Sequence, residues 1–287
     1  MFSLPAQAAY IGSTDTGLEH RRCGGYCSRA VGLRFRSNVF VLEHPDGLVL
    51  FDAGLNTAVL TNPNYVDSAI GRFFFRRLFR LNMQPETLTK KLADLGFDAA
   101  EVHKVVVSHL HFDHIGCIAE VPQAELLVSR DEWDQLSGPH PERDFVFKEH
   151  IERPEAKWRL VDFEPTEDPL FTPFGGCYDL MKDGSMVLLP TLGHTPGSLS
   201  MFVRIEGKAP VLLVGDLTYQ ADLLMNDQVA GTGDRAKLLA SYAKVRGLKD
   251  QLPSLVILPA HDFAAQELLS NDNAQHGAPA DAAQRRG

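Results

Sequence analysis

His109-Leu110-His111-Phe112-Asp113-His114 is the stretch that decides how this chain folds and what it holds. Three imidazoles and a carboxylate occupy six positions, directly after the apolar run Val105-Val106-Val107. The run predicts a strand, and the crowded polar residues predict a tight loop at its end. His109 and His111 stand two apart, so an extended or turning backbone lets them converge on one ion. Asp113 and His114 are adjacent, so their side chains diverge and can serve a second ion nearby. Neutral imidazole and carboxylate are ligands for zinc, iron, cobalt or manganese. A single polar residue in a loop is usually just solvated; four ligand-type residues in six positions are not explained that way.

Three later segments repeat the pattern of an apolar strand followed by a ligand-type residue. Leu188-Leu189-Pro190-Thr191-Leu192-Gly193 leads to His194, Val211-Leu212-Leu213-Val214-Gly215 leads to Asp216, and Val256-Ile257-Leu258-Pro259-Ala260 leads to His261. Loops at strand ends are where a rigid scaffold presents chemistry. Five histidines and two aspartates are enough for two ions sharing one carboxylate, and an ion pair of this kind can hold and acidify a water.

The rest of the chain frames these segments. Val39 to His44 and Leu48 to Asp52 read as strands, with Pro45-Asp46-Gly47 as the turn between them. Residues 103–108, Glu125 to Val128, Met186 to Leu189, Ser200 to Val203, Val211 to Val214 and Leu255 to Leu258 read as further strands. Pro85 to Leu95, Arg130 to Leu136 and Arg235 to Arg246 read as helices, with Gly96 as a stop and Asp98 as the cap of a short turn. Residues 137–185, rich in Pro, Gly and charge, read as a long, partly irregular connection. Hairpins separated by helices predict mixed sheets covered by helices in one α/β domain over residues 1–270, with 271–287 as a flexible tail.

Residues 63–82 interleave Phe73, Phe74, Phe75 and Phe79 with Arg72, Arg76, Arg77 and Arg80, an amphipathic helical pattern. It is read three ways: as core packing, as one wall of an apolar substrate cleft, or as a homodimer contact through residues 65–81.

A chain of 287 residues can bury roughly 75% of its unfolded surface. Its 44% apolar and 23% charged residues are those of an ordinary globular protein. The net charge of −9 argues against a nucleic-acid partner. No apolar run is long enough to span a membrane, and the first residues lack the basic start of a signal peptide. The irregularly spaced Cys23, Cys27, Cys117 and Cys177 suit free thiols in a reducing compartment, so a cytoplasmic protein is expected.

With the hairpin ending at Asp52-Ala53-Gly54 and the ligands from His109 to His261, the chain resembles the metallo-β-lactamase superfamily. The resemblance implies a four-layer αββα sandwich with a dinuclear site, most commonly zinc, at one edge of the sheets. It implies that His109, His111 and His194 hold one metal, that Asp113, His114 and His261 hold the other, and that Asp216 bridges them. Within the superfamily, Asp216 sets the chain apart from true β-lactamases. His111 stands where the di-iron flavoproteins carry Glu, and the 26 residues after His261 leave no room for the helical region of glyoxalase II-like thioesterases. Phe112 inside the motif and Tyr219 three residues after Asp216 resemble the N-acyl-homoserine lactone lactonases, the quorum-quenching enzymes. That resemblance implies a lactone substrate opened by a metal-bridging hydroxide, with Tyr219 touching the lactone, Asp113 shuttling a proton and Phe112 beside the substrate. Two rivals stay open: a same-fold hydrolase of another small ester, lactone or organophosphate, and a metal-dependent oxidoreductase or sulfur dioxygenase.

Overall fold

A computed structural model of the protein describes residues 7–19, 32–78, 86–229 and 231–269. In chain order the strands are β1 (Gln7–Glu19), β2 (Gly32–His44), β3 (Gly47–Phe51), β4 (Val102–Val106), β5 (Glu125–Ser129), β6 (Lys157–Val161), β7 (Tyr178–Asp179), β8 (Met186–Pro190), β9 (Leu199–Val203), β10 (Val211–Gly215) and β11 (Val256–Pro259). They form two sheets, one in the order β1-β2-β3-β4-β5-β6 and the other in the order β11-β10-β9-β8-β7. β1, β2 and β3 pair antiparallel; β3 to β6 run parallel. In the second sheet only β10 and β11 are parallel.

Alternation along the strands builds the layers, because successive side chains leave a strand on opposite faces. Val49 and Phe51 of β3 face the second sheet, where they join Leu188, Met201 and Leu213 in a shared central core. Leu48 and Leu50 face the other way, against Leu88 and Leu92 of the helix Leu88–Asp94. On the far side, Val187, Leu189, Leu212 and Val214 pack against Leu238, Tyr242, Val245 and Leu248 of the helix Arg235–Gln251. That helix starts on Asp234, whose carboxylate accepts from the Ala236 and Lys237 N–H groups at 2.9 and 3.1 Å. The result is helix, sheet, sheet, helix: the expected αββα sandwich. Each fully buried Leu, Val or Phe contributes about 1.5–3 kcal/mol.

Most predicted elements recur with shifted ends. The hairpin turns at residues 45–46 as read, and Asp98 caps its 3₁₀ turn by accepting from Ala100 N–H at 2.9 Å. The reading of 137–185 as an irregular connection needs correction. Lys157–Val161 is a full strand paired in register with β5 from Glu125 to Ser129. It lies at the sheet edge; Trp158 and Leu160 pack on one core and Val161 on the other, but the exposed Lys157 and Arg159 interrupt the apolar pattern. β1 also has no counterpart in the sequence reading. The aromatic helix begins later than read, at Ala69–Leu78, and residues 79–85 lie outside the described residues, as do Cys23, Cys27 and the tail 271–287.

Candidate metal centre

Strands β3, β4, β8, β10 and β11 all finish at one edge of the sandwich, and each is followed by polar residues. The segments interlock there: Ala53 N–H donates to the His114 carbonyl at 2.7 Å, Leu199 N–H to the Ser108 carbonyl at 3.0 Å, and Ala260 N–H to the Gly215 carbonyl at 2.9 Å. After β4 the chain runs extended to His111 and then enters the single helical turn Phe112–Ile115, with His111 as its N-cap. This reversal presents His109 and His111 from the extended part and Asp113 and His114 from the turn.

The side chains converge in three groups: His109 with His111 and His194; His109 with His114 and Asp216; and Asp113 with His114 and His261. Within each group the ligand atoms lie within 4.8 Å of one another. His111 Nδ1 lies 3.0 Å from His109 Nε2 and 3.1 Å from His194 Nε2. Asp216 sits between the two sets, its carboxylate 2.9 Å from His261 Nε2, 3.3 Å from His114 Nε2 and 3.5 Å from His194 Nε2. Asp113 Oδ2 lies 3.7 Å from both His114 Nε2 and His261 Nε2. All seven residues singled out as ligands are thus gathered at one place.

The outer nitrogens are fixed by partners that free the inner ones. His114 Nδ1–H donates to Asp52 Oδ2 at 2.8 Å, and His194 Nδ1–H to the Thr232 carbonyl at 3.2 Å. Ser108 Oγ lies 3.0 Å from His109 Nδ1 and donates to Asp52 Oδ2 at 2.9 Å. Outer partners of this kind set the tautomer and ring orientation of metal-bound imidazoles. Asp52 closes β3 in a left-handed conformation, φ 63°, and takes a further hydrogen bond from Ser108 N–H at 2.7 Å. Sequence reasoning used Asp52 only as the end of a hairpin and missed this role.

The electrostatics divide the cluster. Burial pushes His109, His111 and His194 below the ordinary imidazole range, the first two well below it, and neighbouring imidazoles add to the effect. The shift favours the neutral imidazole, the form that ligates metals. Burial also opposes protonation of His114 and His261, but Asp216 and Asp113, with Asp52 at His114, outweigh it and raise both. Asp216 is held well below the usual carboxylate range despite burial, by His261 and His114. The buried His114 Nε2 and Asp216 Oδ1 make no hydrogen bond although they face each other. Orphaned buried polar atoms of this kind are expensive unless another partner satisfies them. A cation between them would do so, and the nitrogen and oxygen donor set fits a divalent transition metal.

Tyr219 packs its ring edge-on against His261, centroids 5.2 Å apart. Its hydroxyl lies against the backbone of Gly231, where a Cβ would collide with the phenol oxygen. Burial, then Asp216 and Asp113, hold this phenol protonated. Phe112 is buried and points away into an aromatic cluster with Phe75, Phe147 and Phe145, at centroid distances of 5.0, 5.8 and 6.3 Å. A cavity of about 530 Å³ opens beside His111 and His194 and is lined further by Phe145, Arg143, Gln135 and Lys237.

Known proteins resemble this chain in sequence and in fold. Residues 32–261 match the model of the metallo-beta-lactamase superfamily. The chain is 30% identical over 190 residues to N-acyl homoserine lactonase AttM of Rhizobium radiobacter, an alignment covering 64% of this chain and 65% of that protein, just under two thirds of its length. It is 29% identical over 234 residues to the protein of the same name in Rhizobium johnstonii, covering 79% and 81%. Among solved structures, an N-acyl homoserine lactone hydrolase with N-hexanoyl-L-homoserine at its catalytic metal center superimposes with a TM-score of 0.70 at 21% identity, covering 93% of this chain and 96% of that one. With a family model spanning four fifths of its length and the αββα layers in place, this chain belongs to the metallo-β-lactamase superfamily.

Proposed function

We propose that this protein is a metal-dependent hydrolase that opens the lactone ring of N-acyl-homoserine lactones, a quorum-quenching lactonase. The observation that carries the reading is the Tyr219 ring packed edge-on against His261 at the edge of the His/Asp cluster. The relatives named for this activity support the choice of substrate.

In this reading His109, His111 and His194 would hold one divalent ion and Asp113, His114 and His261 a second, with Asp216 between the two sets available to both. Zinc suits the donors best, with iron, cobalt and manganese compatible. Two such ions supply Lewis acidity and a water acidic enough to act near neutral pH. The chain's own residues do the rest. Tyr219 donates its O–H to the lactone carbonyl oxygen as negative charge develops there, a donor that burial has already oriented. Asp113 is the most open of the two carboxylates, its side chain 19% exposed against 5% for Asp216. That exposure supports assigning it the proton transfer to the leaving alkoxide. Phe112 is turned into the core and does not line the cavity, contrary to the expected substrate contact; Phe145, which it packs behind, gives that side of the site its apolar wall, and an acyl chain covered there would gain about 0.8 kcal/mol per buried methylene.

Tyr65, Val66 and Phe75 are buried in that aromatic cluster, whereas Phe73 is 65% exposed. A homodimer contact through 65–81 would therefore use the Phe73 side of the helix. Cys117 and Cys177 are free thiols, which suits a reducing, cytoplasmic setting. Among the described residues no helix is long and apolar enough to cross a membrane.

The test is acid release from a panel of lactones and simple esters, followed by pH-stat with total metal measured on the same sample. Ring opening of acyl-homoserine lactones well ahead of the esters supports the reading. Ester hydrolysis with no lactone turnover would pass the site to another hydrolase.

A further inference from the structure

Glu132 lies outside the ligand cluster, yet its side chain is fully buried, 0% exposed. A carboxylate taken out of water is costly unless its oxygens are satisfied, so its presence where a leucine would fit asks for a reason. Its two oxygens reach two different loops. Oε1 accepts from Leu110 N–H at 2.9 Å. Oε2 accepts from the Thr195 hydroxyl at 2.7 Å and from Gly197 N–H at 3.1 Å. Leu110 stands between His109 and His111, in the loop that follows β4 of the first sheet. Thr195 follows His194, in the loop between β8 and β9 of the second sheet.

The contact between these loops is close and specific. Any Cβ on Gly197 would collide with the Glu132 backbone nitrogen and Cα, so the second loop lies directly on the start of the helix Arg130–Asp134. Ser129, the N-cap of that helix, accepts from Glu132 N–H at 3.1 Å and donates to the Gly197 carbonyl at 2.5 Å. Three donors from two sheets therefore meet one carboxylate, and the three histidines they flank are those facing one another around His111 Nδ1.

We propose that Glu132 is a positioning residue that sets the spacing of the His109/His111 loop against the His194 loop, and so the affinity for the ion these histidines hold. The inference rests on the metal-centre reading and not on the identity of the substrate. Leu110, Thr195 and Gly197 all present donors. A glutamine at 132 has one acceptor oxygen and an NH2 group that would face one of those donors, so it can serve one loop but not both.

The test uses the full-length metal-free protein, titrated with cobalt(II) and followed by its visible absorption, with no lactone present. Glu132→Gln is expected to weaken binding of one of the two cobalt ions by 10- to 100-fold, the range for partners that orient ligands, and to alter that ion's absorption bands. Amide exchange of the metal-free variant should quicken in peptides covering 108–111 and 193–198. Leu248→Ala, a core truncation remote from the site, is the control: it should lower Tm while leaving both affinities as in the wild type. If Glu132→Gln fails to fold, Thr195→Val removes a single donor and should weaken the same ion several-fold. Wild-type affinities and spectrum in a folded Glu132→Gln, or in Thr195→Val where that variant stands in, would overturn the proposal. Equal weakening of both ions would also overturn it. Lactone turnover enters none of these outcomes, so a wrong substrate would leave the result intact.

Discussion

Tyr219 and Asp216 are the residues whose replacement separates chemistry from scaffolding. Tyr219→Phe keeps the ring on His261 and removes only the hydroxyl. Losing a sole oxyanion donor costs about 10²–10³ in rate. With a Lewis acid sharing the task, we expect kcat/KM for an acyl-homoserine lactone to fall about tenfold, about 1.4 kcal/mol in the barrier, at unchanged metal content. Equal kcat/KM in the two proteins would remove the hydroxyl from the mechanism. Asp216→Ala should abolish tight binding of at least one ion by metal analysis, because His114, His194 and His261 all face that carboxylate; the exposed Asp250→Ala should bind as the wild type does. At this scale the ligands were legible because each follows a strand and belongs to a residue type that metals need. Asp52 and Glu132 were not, since their work depends on segments 22 to 65 positions away folding onto them. The one local signal for Glu132, the Ser129-x-x-Glu132 spacing of a capping box, points to a helix start. The structure uses the serine as that cap and sends the glutamate elsewhere.

The aromatic helix Ala69–Leu78 answers the three readings in part. Phe75 packs edge-on against Phe112 at 5.0 Å and Phe147 at 6.0 Å. Phe75→Ala should therefore cost about 3–5 kcal/mol of stability in denaturant unfolding, and a loss below 1 kcal/mol would contradict the packing. Phe73→Ser should leave stability within about 0.5 kcal/mol and, if the helix pairs two copies, shift the protein toward monomer in light scattering. Along the first sheet, Glu125 accepts from Lys104 on β4 at 3.0 Å and from Arg159 on β6 at 3.4 Å. Burial works against its ionisation, but these two cations prevail and lower its pKa. A depressed carboxylate stabilises the fold above its unfolded pKa and loses that contribution as pH falls through the folded value. Glu125→Gln should hence cost up to about 1 kcal/mol at neutral pH and nothing at strongly acidic pH. β8, β10 and β11 were legible because burial on both faces makes them continuous apolar runs, and β4 through the buried Val105-Val106 that leads into the ligand loop. β6 was hidden because the exposed Lys157 and Arg159 break its apolar pattern, Arg159 serving Glu125 on the neighbouring strand.

For the molecule as a whole, the shared core of the two sheets fixes the edge at which five strand ends meet, and the site is the consequence. The layers were foreseeable from strand alternation and from the family resemblance. The pairing of β1 and β6 was not, because it is decided between segments and not within them. Coupling between site and fold gives a further expectation: ions bound only by the folded chain stabilise it, by about 4 kcal/mol at a thousand times Kd. Chelation should lower Tm accordingly, and a Tm indifferent to chelator would speak against ions bound in this cluster. The most direct test of the central claim is reconstitution: metal-free protein titrated with zinc while the hydrolysis of an N-acyl-homoserine lactone is followed by pH-stat. The account predicts no ring opening before zinc is added and a rise that levels off close to two equivalents. Full ring opening without metal, or none at saturating zinc in a folded protein, would contradict it.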